Sequence, residues 1–129
     1  MKLLLDTHIW IWSLSEPKRL SRLVQSELKD TNNELWLSPV STWEFLLLHA
    51  RGRIHVTSNA REWVMKASAY IREAPLTHEI VLAAQELPLP HQDPADRFLA
   101  ATASVLGLTL VTSDRRLLGL GNIATLANR

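Results

Sequence analysis

Three consecutive leucines, Leu3-Leu4-Leu5, stand between Lys2 and Asp6. The run is too short for a helix and suits a strand buried on both faces, as in a parallel sheet. Thr7–Leu14 then predicts a short, very apolar helix, broken by Ser15-Glu16-Pro17. Leu20, Leu23, Val24 and Leu28 recur at helical spacing and predict an amphipathic helix over about Leu20–Lys29. After a turn at Asp30-Thr31-Asn32-Asn33, Glu34–Ser38 reads as a second strand closed by Pro39. Ser41–Ala50 predicts a helix apolar almost all round, most of it buried, with Ser41 and Glu44 matching a capping box.

Arg51-Gly52-Arg53 ends that helix, and Ile54–Val56 reads as a short extended piece. About Asn59–Ile71 predicts a helix with Trp63, Ala67 and Tyr70 on one side. Thr77 caps a helix over His78–Leu87, stopped by Pro88-Leu89-Pro90. Asp93 caps the next helix, with Pro94 in its first position and Asp96 in its first turn. Phe98, Leu99, Thr102, Ala103 and Leu106 form its inner face, and Gly107 ends it. Leu108–Thr112 is the clearest strand after the first. A turn through Gly119 and Gly121 leads to a last edge strand at Ile123–Leu126. Strands alternating with helices predict one domain over residues 1–129, a three-layer α/β/α sandwich around a mostly parallel central sheet.

Composition narrows the class. Hydrophobic residues make up 47% and charged residues 21%, an ordinary globular mix. The net charge is +1, so bulk charge does not hold nucleic acid; only local patches such as Arg115-Arg116 remain for that. Without cysteine there are no disulfides or thiolate metal sites, which fits a cytoplasmic protein. Lys2 followed by three leucines and Asp6 is not a signal peptide, and no apolar run approaches the roughly 20 residues of a membrane span.

Four acids change the picture. Asp6 and Asp114 follow strands; Glu44 and Asp96 lie in the first turns of helices that follow loops. In a parallel α/β fold, strand C-termini and the N-termini of the next helices share one edge. Each acid has a plain reading as a helix cap. Capping does not explain why they stand in such apolar surroundings, Glu44 between Trp43 and Phe45 above all. If they converge, two charges about 4 Å apart repel by on the order of 4 kcal/mol at an effective dielectric of 20. Such a cluster takes up protons or binds cations, and a set of carboxylate oxygens suits Mg²⁺ or Mn²⁺. A site of that kind activates water in phosphodiester cleavage.

In this order and at these separations, Leu3-Leu4-Leu5-Asp6-Thr7, Glu44, Asp96-Arg97-Phe98-Leu99-Ala100-Ala101-Thr102-Ala103 and Thr112-Ser113-Asp114 resemble the four acidic motifs of PIN domains. The length and the His91-x-Asp93-Pro94-x-Asp96-Arg97 pattern most resemble the VapC toxins of toxin–antitoxin pairs. The resemblance implies a PIN-like fold and a metal-dependent endoribonuclease. Asp6, Glu44, Asp96 and Asp114 would be its catalytic, metal-binding carboxylates, holding Mg²⁺ or Mn²⁺ and the attacking water. Thr7 and Thr112 match polar positions that orient the acids. Asp93 is an extra acid, either a support behind the metal-binding carboxylates, like Thr7 and Thr112, or, as the favoured reading, a helix cap. The resemblance also implies an RNA substrate, a cognate antitoxin protein that covers the site, and a homodimer.

Several residues carry two readings. Arg97, Arg115 and Arg116 are candidate RNA contacts; the alternatives are carboxylate pairing for Arg97 and solvated surface for the other two. His91 is either a general acid–base or a loop residue bonded to the following turn. The five tryptophans suit core packing before base stacking. Because the resemblance places the antitoxin groove at the early helices, Trp10, Trp12, Leu20, Val24 and Leu28 are a candidate partner surface, weighed against ordinary core. The rival functions are a catalytically silent PIN-like module that binds RNA or protein, and another Mg²⁺-dependent phosphotransfer enzyme. A haloacid-dehalogenase-like phosphatase wants an acid where His8 stands, and a receiver domain wants adjacent acids at Asp6.

Overall fold

Leu3, Leu4 and Leu5 form the middle of a five-stranded sheet and are all but inaccessible to solvent. The computed structural model describes residues 1–89 and 93–129. In chain order the strands are β1 (Lys2–Leu5), β2 (Glu34–Leu37), β3 (Arg72–Glu73), β4 (Thr109–Thr112) and β5 (Ala124–Ala127). The helices are α1 (Thr7–Ser15), α2 (Arg22–Lys29), α3 (Pro39–Ala50), α4 (Ala60–Ala67), α5 (His78–Glu86), α6 (Pro94–Leu106) and α7 (Arg115–Leu118). The sheet order is β3-β2-β1-β4-β5, and every pairing is parallel. The predicted three-layer α/β/α fold is therefore what forms, with β3 and β5 as edges.

Alternation along the strands divides the core. Leu3, Leu5 and Val111 pack on one face with Ile9 and Trp10 of α1, Val24 of α2 and Phe45 of α3. Leu4 and Leu110 pack on the other with Leu99, Ala100 and Ala103 of α6 and Leu117 of α7. Strands β2 and β4 flank β1 on opposite sides, so the winding direction reverses between β1 and β4. That switch point is where open α/β sheets form their ligand crevice, at the carboxyl ends of the strands.

Thr77 and Asp93 cap their helices as predicted, and Ser21 and Asn59 are caps that the sequence reading did not single out. Ser21, Asn59, Thr77 and Asp93 each accept a backbone N–H from the first turn of the helix that follows. Gly107 ends α6 in the left-handed region at φ 65°, open to glycine at little cost. Helix α3 departs from the expectation. Ser38 is its cap, its hydroxyl accepting the Val40 N–H at 3.1 Å, and Pro39 takes the first position with its φ already set. Ser41 is thus inside the helix and fully buried, so Ser41 and Glu44 form no capping box. Nor is α3 buried all round: Trp43 and Leu46 are exposed.

The remaining differences have simple causes. β3 is two charged, exposed residues held to β2 by backbone pairing, so no hydrophobic pattern marks it. α7 is a single turn, started by Asp114. Ile54–Val56 is not a strand, and α4 stops before Tyr70, which is almost wholly exposed. On α6 the buried face is Leu99 to Ala103, while Phe98 is half-buried and Leu106 exposed. His91 lies outside the described residues.

The candidate partner surface is corrected in part. Trp10, Leu20 and Val24 are 0%, 5% and 0% exposed, because α1 and α2 spend their apolar faces on the sheet and on Phe45. Trp12 and Leu28 are half-buried and keep some surface.

Candidate active site

Asp6, Glu44, Asp96 and Asp114 line one cleft of about 390 Å³ at the switch point, together with Asp93, His8, Trp12 and Arg116. The fold builds this from four places. Asp6 ends β1 and caps α1, accepting the Thr7 N–H at 2.7 Å. Asp114 follows β4 and caps α7, accepting the Arg116 N–H at 2.8 Å. Glu44 is one and a half turns into α3, and Asp96 sits in the first turn of α6. Capping and convergence are both true of Asp6 and Asp114: one carboxylate oxygen caps its helix, and the residue still faces the cleft.

Two threonines hold the acids. Thr112, fully buried at the end of β4, donates its hydroxyl to Asp6 Oδ2 at 2.6 Å and accepts the Asp114 N–H at 3.0 Å. One side chain thereby ties two of the acids to each other across the β1–β4 joint. Thr7, also buried, makes a short hydrogen bond to Glu44 Oε1 and lies 2.9 Å from the Ser41 Oγ. A hydroxyl has one proton. With that proton on Glu44, Thr7 accepts from Ser41, so the order of donation runs from Ser41 through Thr7 to Glu44. Ser41 is a site residue that sequence reasoning missed. Its spacing to Glu44 looked like a cap, and only the packing of α1 on α3 reveals its partner.

Burial, with crowding behind it, raises the proton affinity of Asp6 and Glu44. Asp6 has its carboxyl raised above the usual range, chiefly by burial, against the hydrogen bonds from Thr112 and Thr7 that favour the charged form. Glu44 is raised to about 6, again mainly by burial, with the charges of Asp6, Asp93 and Asp96 adding to it. Arg116 provides a counter-charge. Its guanidinium is 3.2 Å from Asp114 Oδ2 and 4.0 Å from Asp96 Oδ2.

The other sequence candidates separate. Arg116 lines the cleft, whereas Arg115 is exposed and outside its lining. Arg97 is corrected. Its guanidinium donates to the Ala84 and Leu87 carbonyls at 2.9 and 3.1 Å, where a cation meets the carbonyl end of α5. Asp93 caps α6, accepting the Ala95 N–H at 3.0 Å, and also lines the cleft.

The family profile of the PIN domain matches residues 3–122. The chain belongs to the PIN-domain family. It is 35% identical over 115 residues to Ribonuclease VapC22 of Mycobacterium tuberculosis, covering 88% of each protein. Its fold is similar to that of VapBC2 from Rickettsia felis bound to a DNA fragment from its promoter, with a TM-score of 0.75, 15% identity and 98% of each chain covered. DNA-bound VapBC from Salmonella typhimurium gives a TM-score of 0.76 at 14% identity, again over 98% of each chain.

The donor set of this PIN domain fits a hard divalent cation. It offers carboxylate oxygens, two of them held by hydroxyls, in a cleft where burial and, behind it, the neighbouring acids already raise Glu44. Among the described residues, no three acids or histidines are set to coordinate one ion directly. Mg²⁺ commonly keeps several waters and takes one or two carboxylates plus substrate phosphate, so it does not require three direct protein ligands.

Proposed function

We propose that this PIN-domain protein is a Mg²⁺- or Mn²⁺-dependent endoribonuclease and the toxin of a toxin–antitoxin pair. The observation that carries the enzymatic part is the convergence of Asp6, Glu44, Asp96 and Asp114 on one cleft, with Thr7 and Thr112 bonded to two of them. The relative named a ribonuclease supports RNA as the substrate.

In this reading one or two of the four carboxylates would hold the metal directly and the others would meet its waters, and it would supply an activated water and charge stabilisation at the phosphate. Thr112 keeps Asp6 in one rotamer with an oxygen toward the cleft, and Thr7 does the same for Glu44. Arg116, 3.2 Å from Asp114 and 4.0 Å from Asp96, would be at hand to meet the phosphodiester if a cation took over those carboxylates.

The toxin part rests on the company the fold keeps, since two solved structures of similar fold are VapBC complexes. An antitoxin would have an apolar groove of about 400 Å³ to enter, lined by Leu14, Leu28, Leu35 and Tyr70, with Trp10 and Leu20 as its buried floor. Exposed Trp43, Leu76, Val81 and Leu82 leave apolar surface for a homodimer. Among the described residues no helix is long and apolar enough to cross a membrane, which suits a cytoplasmic ribonuclease.

The test is cleavage of RNA by purified protein in Mg²⁺ or Mn²⁺, with EDTA as control, beside Asp6→Asn and Asp96→Asn. Metal-dependent cutting that both substitutions reduce at least 100-fold is the expected result. Cutting that survives both removes these acids from the chemistry. Metal-independent cutting removes the cation.

A further inference from the structure

We propose that the Ser113 hydroxyl donates to an oxygen of the substrate's phosphodiester, and that Asn128 is the positioning residue that keeps its proton free for that bond. The proposal rests on the ribonuclease reading and adds a substrate-binding residue to it.

Parallel pairing puts the two residues side by side. Thr112 is opposite Ala127 at the end of the β4–β5 pair, so Ser113 and Asn128 leave the sheet together. The Asn128 backbone N–H extends the pairing by one bond, to the Thr112 carbonyl at 2.9 Å. Its side chain then reaches the segment between α1 and α2 on one side and Ser113 on the other. The amide oxygen accepts the Ser21 N–H at 2.7 Å. The amide nitrogen donates to the Arg19 carbonyl at 3.1 Å and to Ser113 Oγ at 2.9 Å.

Those partners leave the amide one orientation. Turned over, it would set donor against donor at the Ser21 N–H and acceptor against acceptor at the Arg19 carbonyl. Ser113 Oγ therefore accepts from Asn128. A hydroxyl carries one proton and two lone pairs, so the Ser113 proton is left for another acceptor. Among the described residues no hydrogen bond uses it. Ser113 is exposed, lines the cleft of acids and directly precedes Asp114. Arg116, from the same short stretch, adds a second donor to the cleft lining. Serine hydroxyls are ordinary donors to nucleic-acid phosphates, and a bond to a charged oxygen is about twice as strong as one between neutral groups. The acceptor that fits a free hydroxyl proton at this place is the phosphate on which the carboxylates act.

The experiment pairs steady-state RNA cleavage in Mn²⁺ with calorimetric Mn²⁺ titration, on the full chain and on Ser113→Ala, Ser113→Thr, Asn128→Ala and the Ser113→Ala, Asn128→Ala double variant. Ser113 is exposed, so its variants keep the fold. Ser113→Ala should raise KM about 10- to 100-fold, the loss of one hydrogen bond to a charged group. Its kcat should stay within about three-fold and its Mn²⁺ affinity within about two-fold of wild type. Ser113→Thr keeps the hydroxyl and should keep KM within about three-fold. Asn128→Ala should raise KM at least about three-fold in wild type, but by less than about two-fold on top of Ser113→Ala, because it acts through that hydroxyl.

An unchanged KM in Ser113→Ala overturns the proposal while the ribonuclease stands. So does a loss of Mn²⁺ affinity that matches the rise in KM, since Ser113 would then be ordering Asp114 and not holding substrate. An equal rise in KM from Asn128→Ala in both backgrounds, or no rise in either, removes Asn128 from the positioning role. If wild type cuts no RNA with metal, the ribonuclease reading falls and takes this assignment of Ser113 with it.

Discussion

Thr112 and Asp6 are 106 residues apart and share a hydrogen bond of 2.6 Å, from the last residue of β4 to the first residue after β1. The parallel register puts Leu5 opposite Val111, so the two residues that follow emerge side by side. Thr112 is fully buried, and its bond favours the charged form of an acid that burial would otherwise protonate. Thr112→Val keeps the shape and removes the hydroxyl. Ribonuclease activity should fall about 10- to 100-fold, with a higher metal requirement. Stability should drop by about 1–3 kcal/mol, as for a hydrogen bond to a charged group. A metal titration of cleavage beside a urea melt checks both. Wild-type metal dependence in the variant would remove Thr112 from the orienting role.

Glu44 makes stability depend on pH. Its folded value, about 6, is above the ordinary 4.5, so folding favours the protonated carboxyl. The associated stability is fully present below about pH 4.5 and is lost as pH rises through about 6; Asp6, also raised, acts in the same direction. Glu44 is partly open to solvent, so after screening the effect is of order 1 kcal/mol. In EDTA, melts from pH 4.5 to 7.5 should show that loss, and Glu44→Gln should flatten it. A wild-type profile in the variant would show that another group carries the dependence.

Arg116 is 3.2 Å from Asp114 and 4.0 Å from Asp96, two of the acids proposed to hold the cation. Arg116→Ala removes a positive charge from the cleft and takes the guanidinium away from the Asp114 carboxylate. Calorimetric titration with Mn²⁺ should show affinity rising several-fold, and RNA KM should rise because a phosphate contact is lost. Weaker Mn²⁺ binding in the variant would mean that the guanidinium orders the carboxylates for the ion instead of competing with it.

Arg97 adjoins a site acid in sequence yet bonds to the end of α5. Arg97→Ala should therefore destabilise the fold by about 1–3 kcal/mol through two carbonyls left without their charged donor. The folded fraction should keep kcat and KM within about two-fold. A loss of RNA affinity in fully folded variant protein would return Arg97 to the substrate side.

The sequence by itself determined the layers and the acids. The Leu3–Leu5 run, the strand ending at Thr112, and the caps at Thr77 and Asp93 are local signals, written by burial on both faces of a strand and by unpaired N–H groups at helix starts. Asp6 and Asp114 were legible because an acid after a buried strand has few places to go. Tertiary structure decided what those residues meet. Whether Trp10 is core or surface depends on what packs over α1, and Phe45 of α3 does. Ser41 matched a cap in sequence, but its partner is Thr7 on another helix, 34 residues away. Arg97 and Arg116 both adjoin acids in sequence, and only the crossing of α5 over α6 and the start of α7 send one to a helix end and the other into the cleft. Spacing along a chain reports hydrogen bonds within a turn and burial along a face. It does not report which long, flexible charged side chain will find which distant partner, because that is fixed by how the elements pack.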